Sequence, residues 1–229
     1  MKRILILTFV FFSALYTQQN SAAEILQNVK AKFDAVNDYT ATLTAKVDME
    51  RLRIPEMKIK VYFKQPGKVH IESKNFAMLP REGFALNPSD LLSKYDASLM
   101  STEERGNVKY YRLRLVSKPE KNRPPHESFI WVDGSRWVVT ELESTPAEGR
   151  TIKVIFDYTT VEGKYTLPVS MKASFNFSTS TDTLSQQMYS GRNSMPRKGS
   201  VEISYSNYEV NTGLDDEIFE KKEQQQNSK

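Results

Sequence analysis

Two histidines and no cysteine are a thin supply of the side chains that most often act as nucleophiles, proton carriers or metal ligands. His70 lies on the polar face of an alternating segment, and His126 follows Pro124-Pro125 in a connection, so both read as surface residues. Carboxylates occur as the adjacent pairs Glu103-Glu104 and Asp215-Asp216, inside charged runs that a solvated surface explains. There is no metal-ligand spacing, glycine-rich phosphate loop or nucleophile elbow. The sequence therefore predicts no catalytic residue, no metal and no cofactor. It points to a protein that binds rather than transforms.

Compartment and charge narrow the class further. Lys2 and Arg3 precede an apolar stretch from Ile4 to Tyr16, and Ser21-Ala22-Ala23 offers a small-residue cleavage site. This is the pattern of a cleaved secretory leader at 1–23, with the mature chain beginning at Glu24. The apolar stretch is short for a bilayer span. Without cysteine there is no lipid-attachment site and no disulfide, so stability must come from packing, and a bacterial periplasm fits better than a eukaryotic secretory route. The formal charge of +4 includes Lys2 and Arg3 of the leader. What remains is too nearly balanced for a nucleic-acid binder.

The elements that would position a binding site are mostly strands. Tyr39, Ala41, Leu43, Ala45, Val47 and Met49 alternate with polar residues, as do Met57, Ile59, Val61 and Phe63. Successive strand side chains point to opposite faces, so each segment has one apolar and one polar face. Gln65-Pro66-Gly67-Lys68 suits a type II turn into a third strand through Val69 and Ile71, completing a meander. Ahead of these strands, Ile25, Val29, Phe33 and Val36 fall at helical spacing over 24–37.

Alternation returns at 108–116, at 129–132 and 137–142 around Asp133-Gly134, at 152–158, at 167–177 and from Val201 to Val210. About ten or eleven strands without a long crossover helix predict a mainly β fold with some α: a curved antiparallel sheet, or incomplete barrel, with an N-terminal helix and a short helical lid. One domain over 24–220 accounts for the pattern. The polar stretch 178–199 and the tail 221–229 read as unstructured.

A sheet with a continuous apolar face needs a cover. Leu43, Val47, Ile59, Val61, Phe63, Val69 and Ile71 are expected to line one apolar cavity. Between Asn75 and Met100 apolar residues occur without a sustained period. Of these, Phe76, Met78, Leu79, Phe84, Leu86, Leu91 and Leu92 are expected to form a lid, with Asn87-Pro88 starting a short helix. Alternation alone does not separate a hollow barrel from one filled by its own side chains.

The order of elements resembles a known family. A helix followed by Asp38-Tyr39-Thr40-Ala41-Thr42-Leu43, then Val61-Tyr62-Phe63-Lys64-Gln65-Pro66-Gly67-Lys68-Val69, then Phe129-Ile130-Trp131-Val132-Asp133-Gly134, is similar to the LolA-type outer-membrane lipoprotein carriers and sorting proteins. The resemblance implies an eleven-stranded, incompletely closed barrel under a helical lid, holding acyl chains of a lipoprotein or lipid. It further implies an inner-membrane donor and an outer-membrane acceptor, with the carrier a soluble periplasmic monomer. Carriers of this type often have an arginine just before the turn proline, where it latches the lid. Gln65 occupies that place here and is the candidate latch. The alternatives are a lipid-sensing regulatory domain of envelope-stress signalling and a non-catalytic envelope assembly factor with a filled core.

Overall fold

The computed structural model describes residues 21–49, 52–72, 87–119, 125–147, 150–177 and 198–220. Helix α1, Ala22–Asp34, begins two residues before the predicted start. The Ser21 hydroxyl accepts from Glu24 N–H, and the Glu24 carboxylate accepts from Ser21 N–H, satisfying two otherwise orphaned donors. Ser21 and Ala22, which the sequence reading assigns to the leader's cleavage site, thus cap and open this helix. The apolar stripe of Ala22, Ile25, Leu26 and Val29 is buried, and helical geometry stops at Asp34, short of Asn37.

Eleven strands follow among the described residues. They are β1 (Asp38–Met49), β2 (Leu52–Arg53), β3 (Met57–Lys64), β4 (Lys68–Glu72), β5 (Tyr95–Arg105), β6 (Val108–Ser117), β7 (Glu127–Asp133), β8 (Val138–Ala147), β9 (Arg150–Val161), β10 (Tyr165–Phe177) and β11 (Lys198–Val210). Helix α2, Pro88–Lys94, precedes β5, and a single turn α3, Glu217–Glu220, ends the described chain. The strands form one antiparallel sheet in the order β4-β3-β1-β11-β10-β9-β8-β7-β6-β5, with β2 beside β1. The ends, β4 and β5, do not pair with each other, so the curved sheet stays open, as predicted.

Register places the alternating residues on one inner face. Tyr39 pairs with Phe63, Ala41 with Val61 and Leu43 with Ile59 across β1 and β3, while Leu43 pairs with Tyr205 and Ala45 with Ile203 across β1 and β11. The first meander is therefore as expected, but its turn is different. A Gly67 N–H bond to Lys64 O closes four residues around a cis Gln65–Pro66 peptide, the geometry of a type VI turn rather than type II. The hydrogen bond is set one residue earlier than predicted, and Gln65 N–H is bonded to Asn37 O.

Three further expectations need correction. Residues 95–105 form the edge strand β5, where the sequence suggested irregular structure. Its alternation is interrupted by a bulge between Leu99 and Ser101, and its second half is polar, as an unpaired edge requires. The Asp133-Gly134 hairpin exists, but its loop is Gly134–Trp137, closed by Trp137 N–H to Asp133 O. Gly134 is needed there for close approach, since a Cβ would come within 2.9 Å of Lys109 O. Lys198 and Gly199 open β11 and so leave the stretch predicted to be unstructured. The rest of that stretch and the tail 221–229 lie outside the described residues.

The inner face packs as two clusters. Ala22, Ile25, Leu26 and Val29 of α1 and Leu91 of α2 cover Leu113, Leu115, Ile130, Val132 and Val139 of β6 to β8. Residues of β1, β3, β4, β9, β10 and β11 form the second cluster, which meets α1 only at its C-terminal end through Phe33 and Val36.

Candidate functional site

Where the two clusters meet there is an apolar cleft of about 90 Å³. That is several times the roughly 10–15 Å³ needed to hold one water on the same measure. One wall is the end of α1 and the step into β1: Val29, Lys32, Phe33, Val36 and Tyr39. The opposite wall comes from the start of β8 and from β9 and β10, notably Trp137, Val138, Val139, Phe156, Tyr158 and Leu167. Phe63 forms the floor beside Tyr39, their rings stacked 5.1 Å apart, and Phe33 meets Phe63 edge-on at 5.5 Å.

Aromatic side chains are prominent in this region, and two of the tyrosine hydroxyls are bonded to backbone carbonyls. Tyr158 donates to Val139 O at 2.7 Å and Tyr208 to Pro168 O at 2.7 Å. Burial pushes the Tyr39 hydroxyl up to about 12 and raises Tyr158, Tyr205 and Tyr208 further, so all four stay neutral at any physiological pH. Apart from Lys32, the walls thus present neutral, largely apolar surface, suited to a nonpolar guest.

The predicted cavity residues are brought to one face, yet mostly behind the cleft rather than on its surface. Phe63 lines it directly. Leu43, Ile59, Val61 and Ile71 are buried in the same cluster, and Val47 is half-buried against it. Val69 pairs with Phe63 but is 43% exposed, at the open edge of the sheet. Of the predicted lid, Leu91 is buried beneath α1 and Leu92 packs beside it in α2. Phe76, Met78, Leu79, Phe84 and Leu86 lie outside the described residues. In the chain α2 falls between β4 and β5, the two edges of the sheet.

Gln65 sits at the junction of both helices. Its side-chain amide reaches Phe33 O at 3.5 Å and Val36 O at 3.4 Å, at the end of α1. These are long bonds, and from a neutral donor they are weak. On the other side of the same turn, the Asn87 side chain, which caps α2, donates to Pro66 O at 3.1 Å. Near by, the buried Asp38 carboxylate accepts from Thr212 N–H and Gly213 N–H, and Asn211 Oδ1 accepts from Asn37 N–H. The step from α1 into β1 is thereby tied to the end of β11.

Three of the polar residues weighed for chemistry make structural contacts. Ser117 Oγ lies 3.0 Å from His126 Nδ1 and accepts His126 N–H, closing the β6–β7 connection away from the cleft. Asp216 pairs with Lys64 and Lys68, whose hydrogen bonds hold its carboxyl below the usual range, and Glu103 pairs with Arg105. Among the described residues no group of acidic or histidine side chains could hold a metal, and no helix is long and apolar enough to cross a membrane. Sequence reasoning missed Trp137, Val138, Val139, Phe156 and Leu167 as lining residues. Their alternation was visible, but only the pairing of distant strands sets them opposite α1.

Comparison with known proteins agrees with this architecture. The model of a family described as "Uncharacterized protein" matches residues 86–225, and the chain belongs to that family. No curated protein matches it. A solved domain from Vibrio parahaemolyticus, described as an outer membrane lipoprotein-sorting protein, is similar at 16% identity and a TM-score of 0.57, covering 87% of this chain and 96% of its own. A DUF1329 family protein from Desulfovibrio piger shares 15% identity with a TM-score of 0.59, over 86% of this chain and 95% of its own. A LolA superfamily protein from Nitrosomonas europaea shares 13% identity with a TM-score of 0.53, over 88% and 98%. The chain has the LolA-type fold that its order of elements suggested.

Proposed function

We propose that this member of an uncharacterised family is a soluble, non-catalytic periplasmic carrier. It holds an acyl chain of a lipoprotein or lipid between α1 and the sheet and escorts it from an inner-membrane donor toward an outer-membrane acceptor. The observation that carries this reading is the cleft itself: an apolar recess walled by the end of α1 and by β8 to β10. Each methylene withdrawn from water contributes about 0.8 kcal/mol, so apolar walls suffice for affinity without specific polar contacts. A cleft of about 90 Å³ takes only part of a long chain. A full chain requires the end of α1 to part from Phe63 and β9–β10, which makes loading a conformational step.

A second reading has one observation in its favour. Leu43, Ile59, Val61 and Ile71 are buried, as they would be in an assembly factor whose core is filled by its own side chains. Native mass spectrometry of protein purified from its own periplasm separates the two. A carrier retains masses matching acyl lipids that leave on mild activation; a filled-core factor gives the bare polypeptide mass alone.

A further inference from the structure

The rim of the cleft bears on which acyl compounds enter it. Among the described residues lining the cleft, Lys32 is the one basic side chain, and none is acidic. Lys32 is exposed in the last turn of α1 and forms no ion pair with a described residue. Carboxylates on the surrounding elements are already engaged: Asp34 by Lys30, Asp38 by Thr212 and Gly213, and Asp133 by Arg136 and Ser135. Arg136 lies 5.9 Å from the Tyr158 ring and is paired with Asp133. The cleft therefore combines an apolar interior with one uncompensated positive charge at its mouth.

We propose that the cleft takes single-tailed amphiphiles with an anionic head, carboxylate or phosphate, the head resting at Lys32 Nζ and the tail along Phe33, Val36, Phe63 and Phe156. This rests on the acyl-binding reading above and adds the class of head group. An ammonium is a compact point charge that accepts either anion without demanding a fixed geometry. A partly exposed pair is modest in strength, so the preference is a matter of a few-fold rather than orders of magnitude. A lysine in a last helical turn also complements the helix dipole. That role is indifferent to the ligand's head, and this difference is what the experiment exploits.

The test is displacement of the neutral dye N-phenyl-1-naphthylamine from the full chain by three competitors with the same tail: palmitate, palmitoyl lysophosphatidic acid and uncharged 1-monopalmitoylglycerol. In the unaltered protein the anionic competitors should act at about two- to fivefold lower concentration than the neutral one. In Lys32→Gln that ratio should approach one, and in Lys32→Glu it should invert. A preference for both anions supports a general anionic head, and a preference for palmitate alone supports a free fatty acid. Dye displacement without head-group preference, or a preference that survives Lys32→Gln, overturns the inference while leaving acyl binding intact. A folded protein that binds neither dye nor competitor overturns acyl binding itself, and the head-group assignment with it.

Discussion

The half of the sheet beneath α1 and the half that borders the cleft are made of the same alternating strands, yet they are finished differently. Under the helix, Ile25, Leu113, Ile130 and Val132 have no exposed surface, and aliphatic side chains interlock across two layers. Beside the cleft α1 reaches its end and rings gather: Tyr39 stacks on Phe63, Phe33 meets Phe63 edge-on, and Phe156 and Tyr158 line the same recess. Aliphatic interdigitation fixes one arrangement, whereas large faces in contact leave gaps and can part with little rearrangement of their neighbours. On the proposed reading the first half supplies stability and the second the acyl-binding surface.

The largest effect should come from breaking the covered half. Leu113→Ala deletes fully buried volume beneath α1 and should cost about 2–5 kcal/mol in urea unfolding. Dye affinity of the fraction that remains folded should be unchanged. A loss of affinity larger than the loss of stability would mean that the two halves are not separate.

A somewhat smaller effect is expected at the β7–β8 loop, which carries Trp137 and Val138 to the cleft. The buried Asp133 carboxylate accepts from Ser135 N–H, Ser135 Oγ, Arg136 N–H and Arg136 Nε. Its desolvation alone would raise the pKa, but these hydrogen bonds prevail and hold it below the usual aspartate value. A carboxyl lowered on folding stabilises the protein above its unfolded-state pKa and gives that up as pH falls through the folded one. Asp133→Asn should therefore cost about 1–3 kcal/mol at pH 7 and flatten the loss of stability below about pH 4. Equal acid sensitivity in the variant, followed by circular dichroism, would remove Asp133 from that role.

Filling the cleft should act in the opposite sense to Leu113→Ala. Leu167→Trp places a larger ring against the open space and should lower dye affinity about tenfold for a stability change near 1 kcal/mol. The smallest effect belongs to Gln65→Ala, which removes two long bonds to Phe33 O and Val36 O and should cost about 0.5–1 kcal/mol or less. Its signature is local: faster hydrogen exchange at 33–37 with none at Ile130. Gln65→Arg, with a charged donor in the same place, should slow that exchange and weaken lipid binding by favouring the closed form.

These contrasts also explain what was legible in the sequence. β1 and β3 were readable because one face of each is buried along nearly its whole length, so alternation survives. β5 was not, because only Tyr95, Ala97 and Leu99 carry its apolar face, and beyond the bulge between Leu99 and Ser101 the strand is polar. The position before Pro66 was singled out only by the family resemblance, and its partners Phe33 O and Val36 O depend on where α1 stops, which Val36 at helical spacing disguised. The cleft itself was hidden, since its walls come from the ends of elements more than a hundred residues apart, and only the closing pair β1–β11 sets them face to face.

The central claim, that an acyl chain enters between the end of α1 and the β8–β10 wall, is tested most directly by crosslinking the full chain with a photoactivatable palmitate and mapping the labelled peptides. The account predicts labels within 29–39, at Trp137–Val139 and at Phe156–Leu167, with labelling suppressed in Leu167→Trp. Labels spread over the outer face, or confined to the covered half around Leu113 and Ile130, would contradict it.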